Sequence, residues 1–263
     1  IWGIWVLTSE MKSYRIRDIC NSSTGGTPSR SIEEFFEKSP YGHPWLASRE
    51  LNGARIYSSE EYISDAGLNN SSARYFPKET VVIAMYGMTA GRIGYLGIPM
   101  TTSQAICGMI ANEKICLQRF LYYLISNESW KIVWENSIGA AQPNISQKSI
   151  LQHKISLPSI YSQQKIVQIL DPIEQKIELC KKISANAEQS LTALFRSWFI
   201  DFEPVKAKAE GKLPYGMDEE TAALFSNSFE DSEFGLIPKG WKLQQLSDIA
   251  QIVDCSHATN QNR

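Results

Sequence analysis

The chain has 263 residues, 43% of them hydrophobic, which is enough apolar material for one large domain or two modest ones with real cores. Its formal net charge of −2 says nothing by itself about nucleic acid; a duplex-binding surface with so little net charge would have to gather its Lys and Arg on one face or borrow basic partners. Five scattered cysteines (Cys20, Cys107, Cys116, Cys180, Cys255) form no Cys-x-x-Cys pair, which argues against a zinc ribbon or a disulfide framework and fits a reducing cytoplasm.

The opening run Ile1-Trp2-Gly3-Ile4-Trp5-Val6-Leu7 is apolar but too short to span a bilayer, and it lacks the basic flank of a signal peptide. Residues 1–10 therefore read as a leader or upstream segment before Met11, and no membrane partner is expected. Residues 11–158 read as a mixed α/β domain of short elements. Tyr14 to Cys20 alternates polar and apolar residues, as an opening strand or a short helical turn would. Gly25-Gly26-Thr27-Pro28 is a turn by composition. Thr80 to Tyr86 is β-branched and apolar and predicts a buried strand. Gly87, Gly91 and Gly94 then punctuate a tight loop, with Ile93, Tyr95 and Leu96 returning on a second strand. From Ile115 to Trp134 the spacing is helical, with Phe120, Leu121, Leu124 and Ile125 on one face.

A different pattern follows. Ile166, Leu170, Ile173, Ile177, Cys180, Ser184, Ala187, Leu191, Leu194 and Trp198 recur in steps of four and three, the seam of a helix packed along another long helix. This helix region covers residues 159–203. Pro172 has no amide proton and crowds the preceding turn, so it kinks the helix or restarts it; Asp171-Pro172 makes a good cap pair, and a short helix to about Leu170 and a longer one from Pro172, collinear or bent, are expected. Residues 204–234, rich in charge, Gly and Pro, read as a loose linker. Ile237-Pro238-Lys239-Gly240-Trp241 opens a new segment, residues 235–263. Ser247-Asp248-Ile249 there echoes Arg17-Asp18-Ile19 at an offset of 230.

Four stretches, taken in order, resemble the specificity subunits of type I restriction–modification systems. Gly87-Met88-Thr89-Ala90-Gly91-Arg92-Ile93-Gly94-Tyr95-Leu96, followed by Thr101-Thr102-Ser103-Gln104-Ala105, is similar to a hallmark of that family's target-recognition domain. Asn144-Ile145-Ser146, Ile155-Ser156-Leu157-Pro158 and Gln163-Gln164-Lys165-Ile166-Val167 resemble the close of such a domain and the start of its spacer helix. Leu194 to Val205 looks like the helix end. Ile237 to Trp241, running on to Ile252 through Thr259, resembles the start of a second recognition domain, broken off after Arg263.

The resemblance implies an α+β chain: a target-recognition domain, a long coiled-coil-forming helix, and a truncated second domain. It implies a non-catalytic, cytoplasmic subunit that needs no cofactor. Its partners would be double-stranded DNA, methyltransferase subunits and restriction subunits, with self-association through the spacer helix. Gly87, Thr89, Gly91, Arg92, Gly94, Thr102, Gln104, Arg49 and Arg74 become candidate DNA-binding residues. In that reading Gly lets the backbone approach the duplex, Arg92 contacts phosphate or guanine, and Gln104 can pair with adenine. The bland alternatives stay open beside it. The glycines make an ordinary hairpin, Thr102 and Gln104 sit on a strand edge, and Arg49, Arg55 and Arg74 are solvated charges. Asp254-Cys255-Ser256-His257 has no third ligand nearby, so no metal site is expected. The competing function is a coiled-coil interaction protein whose head binds something other than DNA.

Overall fold

The computed structural model describes residues 11–37, 41–137 and 144–251. The leader reading of residues 1–10, the Asp254–His257 stretch and the last part of the second-domain reading lie outside them. The chain divides into two compact units, residues 1–178 and 179–263.

In the first unit, β1 (Lys12–Arg15) runs into a one-turn helix α1 (Ile16–Ile19) and then β2 (Cys20–Thr24), so both readings of the opening segment are realised in succession. There follow β3 (Phe36–Glu37), β4 (His43–Leu46), β5 (Arg55–Ile56), β6 (Glu61–Ile63), α2 (Asp65–Asn69), β7 (Tyr75–Phe76) and β8 (Val81–Ala84). Next come β9 (Ile93–Leu96), β10 (Met100–Thr102), β11 (Ile106–Ala111), α3 (Gln118–Ser137), α4 (Gln147–Gln152) and β12 (Lys154–Leu157). β12 pairs antiparallel with β1, Lys12 opposite Leu157, and so ties the two ends of the head together.

Two five-stranded sheets carry the head, in the orders β2-β11-β8-β9-β5 and β3-β6-β4-β10-β7. Both are antiparallel apart from the β5–β9 and β4–β10 pairs. The predicted Thr80–Tyr86 strand is β8, central in the first sheet and fully buried. Its side chains alternate between two cores, as the pleat requires. Val81 and Ile83 face the helical side with Leu121, Ile125 and Ile132 of α3. Val82 and Ala84 face the second sheet, with Leu46, Phe76 and Met100. The head is thus three layers: helices, sheet, sheet. The expected face of α3 is the buried one, Phe120, Leu121 and Ile125 being inside it.

Helix α5 spans Ile160–Phe199. The expected break at Pro172 is absent: the helix runs through the proline without interruption. Asp171 does not cap a new helix, because its carboxylate is taken by Arg119 at 2.6 Å. The N-terminal anchor is Gln163, fully buried, which accepts from Leu117 N and donates to the Ile115 and Pro158 carbonyls.

The second unit also departs from expectation. The region 204–234 is not a loose linker but holds α6 (Glu203–Ala209), α7 (Glu219–Ala223) and β13 (Phe229–Ser232), and β13 pairs with β14 (Gly235–Pro238) across the expected boundary at 235. The reason is aromatic packing: Trp198, Phe199, Phe202, Phe225, Phe229 and Trp241 form a chain of ring contacts with centroids 5.4–6.4 Å apart. Lys208 Nζ donates to the Ala222 carbonyl at 2.8 Å and closes the turn between α6 and α7.

The sequence echo has a structural counterpart. The last element, α8 (Leu246–Ile249), is a four-residue helix like α1. In each, the residue before the helix is extended and its backbone N–H donates to the third residue's aspartate: Arg15 to Asp18 at 2.8 Å, Gln245 to Asp248 at 3.2 Å. Both helices also exit into extended backbone, at Cys20 and Ala250.

Candidate nucleic-acid interface

The candidate residues gather where β4, β8 and β10 end. β4 and β10 are parallel neighbours, so their C-terminal ends lie together, and Ser103 N donates to the Leu46 carbonyl at 2.9 Å. After β4 comes a 3₁₀ turn, Ser48–Glu50, carrying Arg49. After β8 comes another, Gly87–Thr89, the predicted glycine loop. The two turns touch, since Thr89 Oγ1 donates toward Ser48 Oγ at 3.3 Å. The loop closes on itself through Gly91 N to Ala84 O at 2.9 Å and Ala84 N to Arg92 O at 2.8 Å. Beyond β10, Gln104 N donates to Thr27 Oγ1 at 3.4 Å, which sets Gln104 beside the stretch that follows β2; Gly25–Pro28, expected as a turn, is irregular backbone there. Arg74 immediately precedes Tyr75, whose partner in the sheet is Thr101, so it reaches the same end.

The nine predicted residues then separate by exposure. Arg92, Gln104 and Arg74 are exposed, and Arg74 and Arg92 make no ion pair among the described residues. Arg49 is half exposed but engaged, with Glu61 at 2.7 Å and Glu60 at 3.0 Å. Those hydrogen bonds hold its guanidinium above the ordinary range. A phosphate taking Arg49 must compete with both carboxylates.

Thr102 and Gly94 are inside. Thr102 is fully buried, and its carbonyl accepts from Gly26 N at 2.9 Å. Gly94 is paired with Val82 in the sheet, and a Cβ there would lie 2.6 Å from Ile56 Cδ1. Gly91 has φ +82°, and a Cβ would lie 2.5 Å from Val133 Cγ2 of α3, so this glycine fits the loop onto the helix. Gly87, at φ +64°, has open space beside it. These glycines shape the loop that presents Tyr86, Met88 and Arg92, Met88 being 91% exposed.

Several polar groups had no sequence signal. Arg30 lies 2.5 Å from Glu61 and stacks over Phe36 and Trp45 at 4.7 and 5.0 Å. Arg30 first, then Arg49, hold Glu61 below the ordinary carboxylate range against the opposing effect of burial. At the opposite, N-terminal end of β4, His43 sits between Tyr75 Oη and Asp65 Oδ1, each at 2.8 Å. Their partners are 22 to 32 residues away, beyond any local spacing rule. Among the described residues no group of three or more His, Cys, Asp or Glu is placed to hold a metal ion. Burial pushes the thiols of Cys20, Cys107 and Cys116 up to about 12, which makes them packing residues rather than nucleophiles. No helix among the described residues is long and apolar enough to cross a membrane.

On α5 the predicted seam divides. Ile166 and Leu170 are partly covered, whereas Ile173, Ile177, Leu191 and Leu194 are 47–66% exposed. Cys180 and Ala187 are exposed and Trp198 joins the aromatic cluster. Ile169, Leu179 and Ile183, also exposed, widen the apolar stripe.

A family model described as the type I restriction modification DNA specificity domain matches residues 8–189. The type I restriction enzyme MjaIX specificity subunit of Methanocaldococcus jannaschii is 31% identical over 251 residues, covering 93% of this chain and 52% of that protein. The HindI specificity subunit of Haemophilus influenzae is 32% identical over 184 residues, covering 54% of this chain and 40% of that one. The chain spans about half the length, or less, of these relatives. Its fold is similar to the crystal structure of a type I restriction–modification S subunit from M. genitalium, with TM-score 0.53 and 21% identity over 74% of this chain and 46% of that one.

Proposed function

The chain belongs to the type I restriction modification DNA specificity family, and from that membership we propose that it is a sequence-specific DNA-binding specificity subunit. It directs methyltransferase and restriction subunits to a bipartite site and performs no chemistry of its own. The observation that carries this reading is the gathering of Arg49, Arg74, Arg92 and Gln104 on loops at one end of the stacked sheets. Base readout needs that arrangement: rigid strands that present a few donors on short loops. Residues 11–158 form the target-recognition domain and 159–203 the spacer helix region. The segment leading into α8, after the β13–β14 hairpin, begins a second recognition domain, a reading supported by the repeated cap geometry of α1 and α8.

The uncovered stripe of α5 extends the proposal to assembly. Burying each of Ile173, Ile177, Leu191 and Leu194 is worth roughly 1.5–3 kcal/mol, so a helix partner is expected there. A second copy packed antiparallel would place a recognition domain at each end, and a two-fold dimer reads a palindromic split site. The deciding experiment measures binding of the purified chain to duplex DNA, alone and with the methyltransferase subunit. Weak, steeply salt-dependent binding that tightens with the partner is the expected result. Binding indifferent to DNA at every salt concentration would favour a coiled-coil interaction protein with a head for another ligand, which the exposed stripe would also suit.

A further inference from the structure

Arg119, in the first turn of α3, reaches across to the base of α5. Its Nε donates to Asp171 Oδ1 at 2.6 Å and its Nη2 to Glu174 Oε2 at 2.5 Å, with only 15% of its side chain exposed. Tyr123 Oη lies 2.6 Å from Asp171 Oδ1 and 2.9 Å from Glu174 Oε2, and Tyr122 Oη lies 2.7 Å from Glu174 Oε1. The guanidinium also sits 4.8–4.9 Å from the ring centroids of Tyr95, Tyr122 and Tyr123, and its buried Nη1 has no hydrogen-bond partner among the described residues. Burial works against the charge of Arg119, but the hydrogen bond to Asp171 and the field of Glu174 outweigh it and keep the guanidinium charged.

Asp171 and Glu174 flank Pro172. Proline cannot donate to the Gln168 carbonyl and its ring crowds the preceding turn, so this is the softest point of the helix. A cleft of about 840 Å³, bounded by Leu124, Ile155, Pro158, Ile166 and Leu170 among others, runs beside the same stretch. Packing alone therefore does not fix the helix base from every side. Without Arg119, two carboxylates would face each other across the proline.

We propose that Pro172 is a hinge and Arg119 its lock: together they set the direction in which α5 leaves the head, and with it the spacing at which the chain reads a split DNA site. Arg119 is then a positioning residue for specificity. The hinge stands on geometry alone; only its link to spacing rests on the DNA-recognition reading.

Two measurements test it. Spin labels on the exposed native thiol of Cys180 and on Asn69→Cys, in a Cys255→Ser background diluted with unlabelled chain, report the head-to-helix distance. The parent should give one narrow distribution. Arg119→Met, and independently Asp171→Asn with Glu174→Gln, should broaden it about twofold, and adding Pro172→Ala to Arg119→Met should narrow it again by restoring the missing helical hydrogen bond. A second label pair within the head, on Asn69→Cys and Lys114→Cys with Cys180→Ser, should not change, which separates unlocking from unfolding. An Arg119→Met distribution as narrow as the parent's, or no narrowing by Pro172→Ala, overturns the proposal. In selection from a random-sequence duplex library, Arg119→Met should retain the parent's half-site sequence but accept more than one spacer length. A uniform loss of affinity at an unchanged spacer would leave Arg119 merely structural. If parent and variant both select nothing, the DNA reading fails and the spin-label distances still decide the hinge.

Discussion

At Gly91 the backbone φ is +82° and an added Cβ would lie 2.5 Å from Val133, whereas at Gly87 φ is +64° with nothing within 4 Å. Gly91→Ala therefore meets both backbone strain and a clash, and should cost about 2–3 kcal/mol, against about 1 kcal/mol for Gly87→Ala, read as the difference in urea midpoints. Arg92→Ala should leave the melting temperature unchanged, because the exposed guanidinium makes no ion pair among the described residues. In DNA titrations it should weaken binding by about 1–3 kcal/mol and relax one base position if the contact is bidentate to guanine. A uniform loss across sequences would assign it to a phosphate. Glu61 offers a pH test. Its folded value is depressed, so its contribution is present above the ordinary carboxylate range and is lost as pH falls through the folded value. Parent and Glu61→Gln should thus differ in stability at neutral pH and converge in acid, in a series of urea melts.

Helix α5 is where periodicity and proline rules disagreed. The four-three spacing foretold a long helix with an apolar stripe, and the helix and the stripe are there, but a cap-and-restart at Asp171-Pro172 is not. Proline's cost is fixed and local, while the ion pairs of Asp171 and Glu174 with Arg119 come from 52 and 55 residues away and have no signature in the spacing. The exposed stretch from Ile173 to Leu194 makes a separate prediction. Ile177→Asp and Leu191→Asp should each abolish self-association, seen as a halving of mass by light scattering at micromolar concentration, because either places an unpaired carboxylate in the seam. A monomeric parent would refute the antiparallel pair.

Across the whole molecule, a net charge of −2 offers little long-range attraction to a polyanion, so on the proposed DNA reading the affinity would come from a few phosphate contacts on the sheet-end loops. The logarithm of the binding constant should fall linearly with the logarithm of salt, with a slope of about −0.9 per phosphate neutralised. Arg74→Ala should make that slope shallower by about one unit if Arg74 meets the backbone. A steep slope that Arg74→Ala, Arg92→Ala and Arg49→Ala all leave untouched would move the interface off this end of the head.

The sequence by itself determined what depends on neighbours in the chain. The buried strand at Val81–Ala84, the inner face of α3 and the apolar stripe of α5 follow from short-range periodicity and were legible; at Asp18 and Asp248 the sequence showed only an echo, and the caps themselves came from the structure. Only the tertiary structure decided which of the family-like residues face outward. Thr102 and Gly94 belong to the same motifs as Gln104 and Arg92, yet they are buried because a second sheet covers one face of the first. That stacking depends on β4 lying beside β10 and β5 beside β9, pairings made across 40 to 56 residues. The structured connector after α5 has the same cause: its charge and proline content read as linker, but rings spaced along more than 40 residues, from Trp198 to Trp241, collapse on one another. Composition registers how much apolar surface a segment carries, and only the folded chain determines which distant surface is there to cover it.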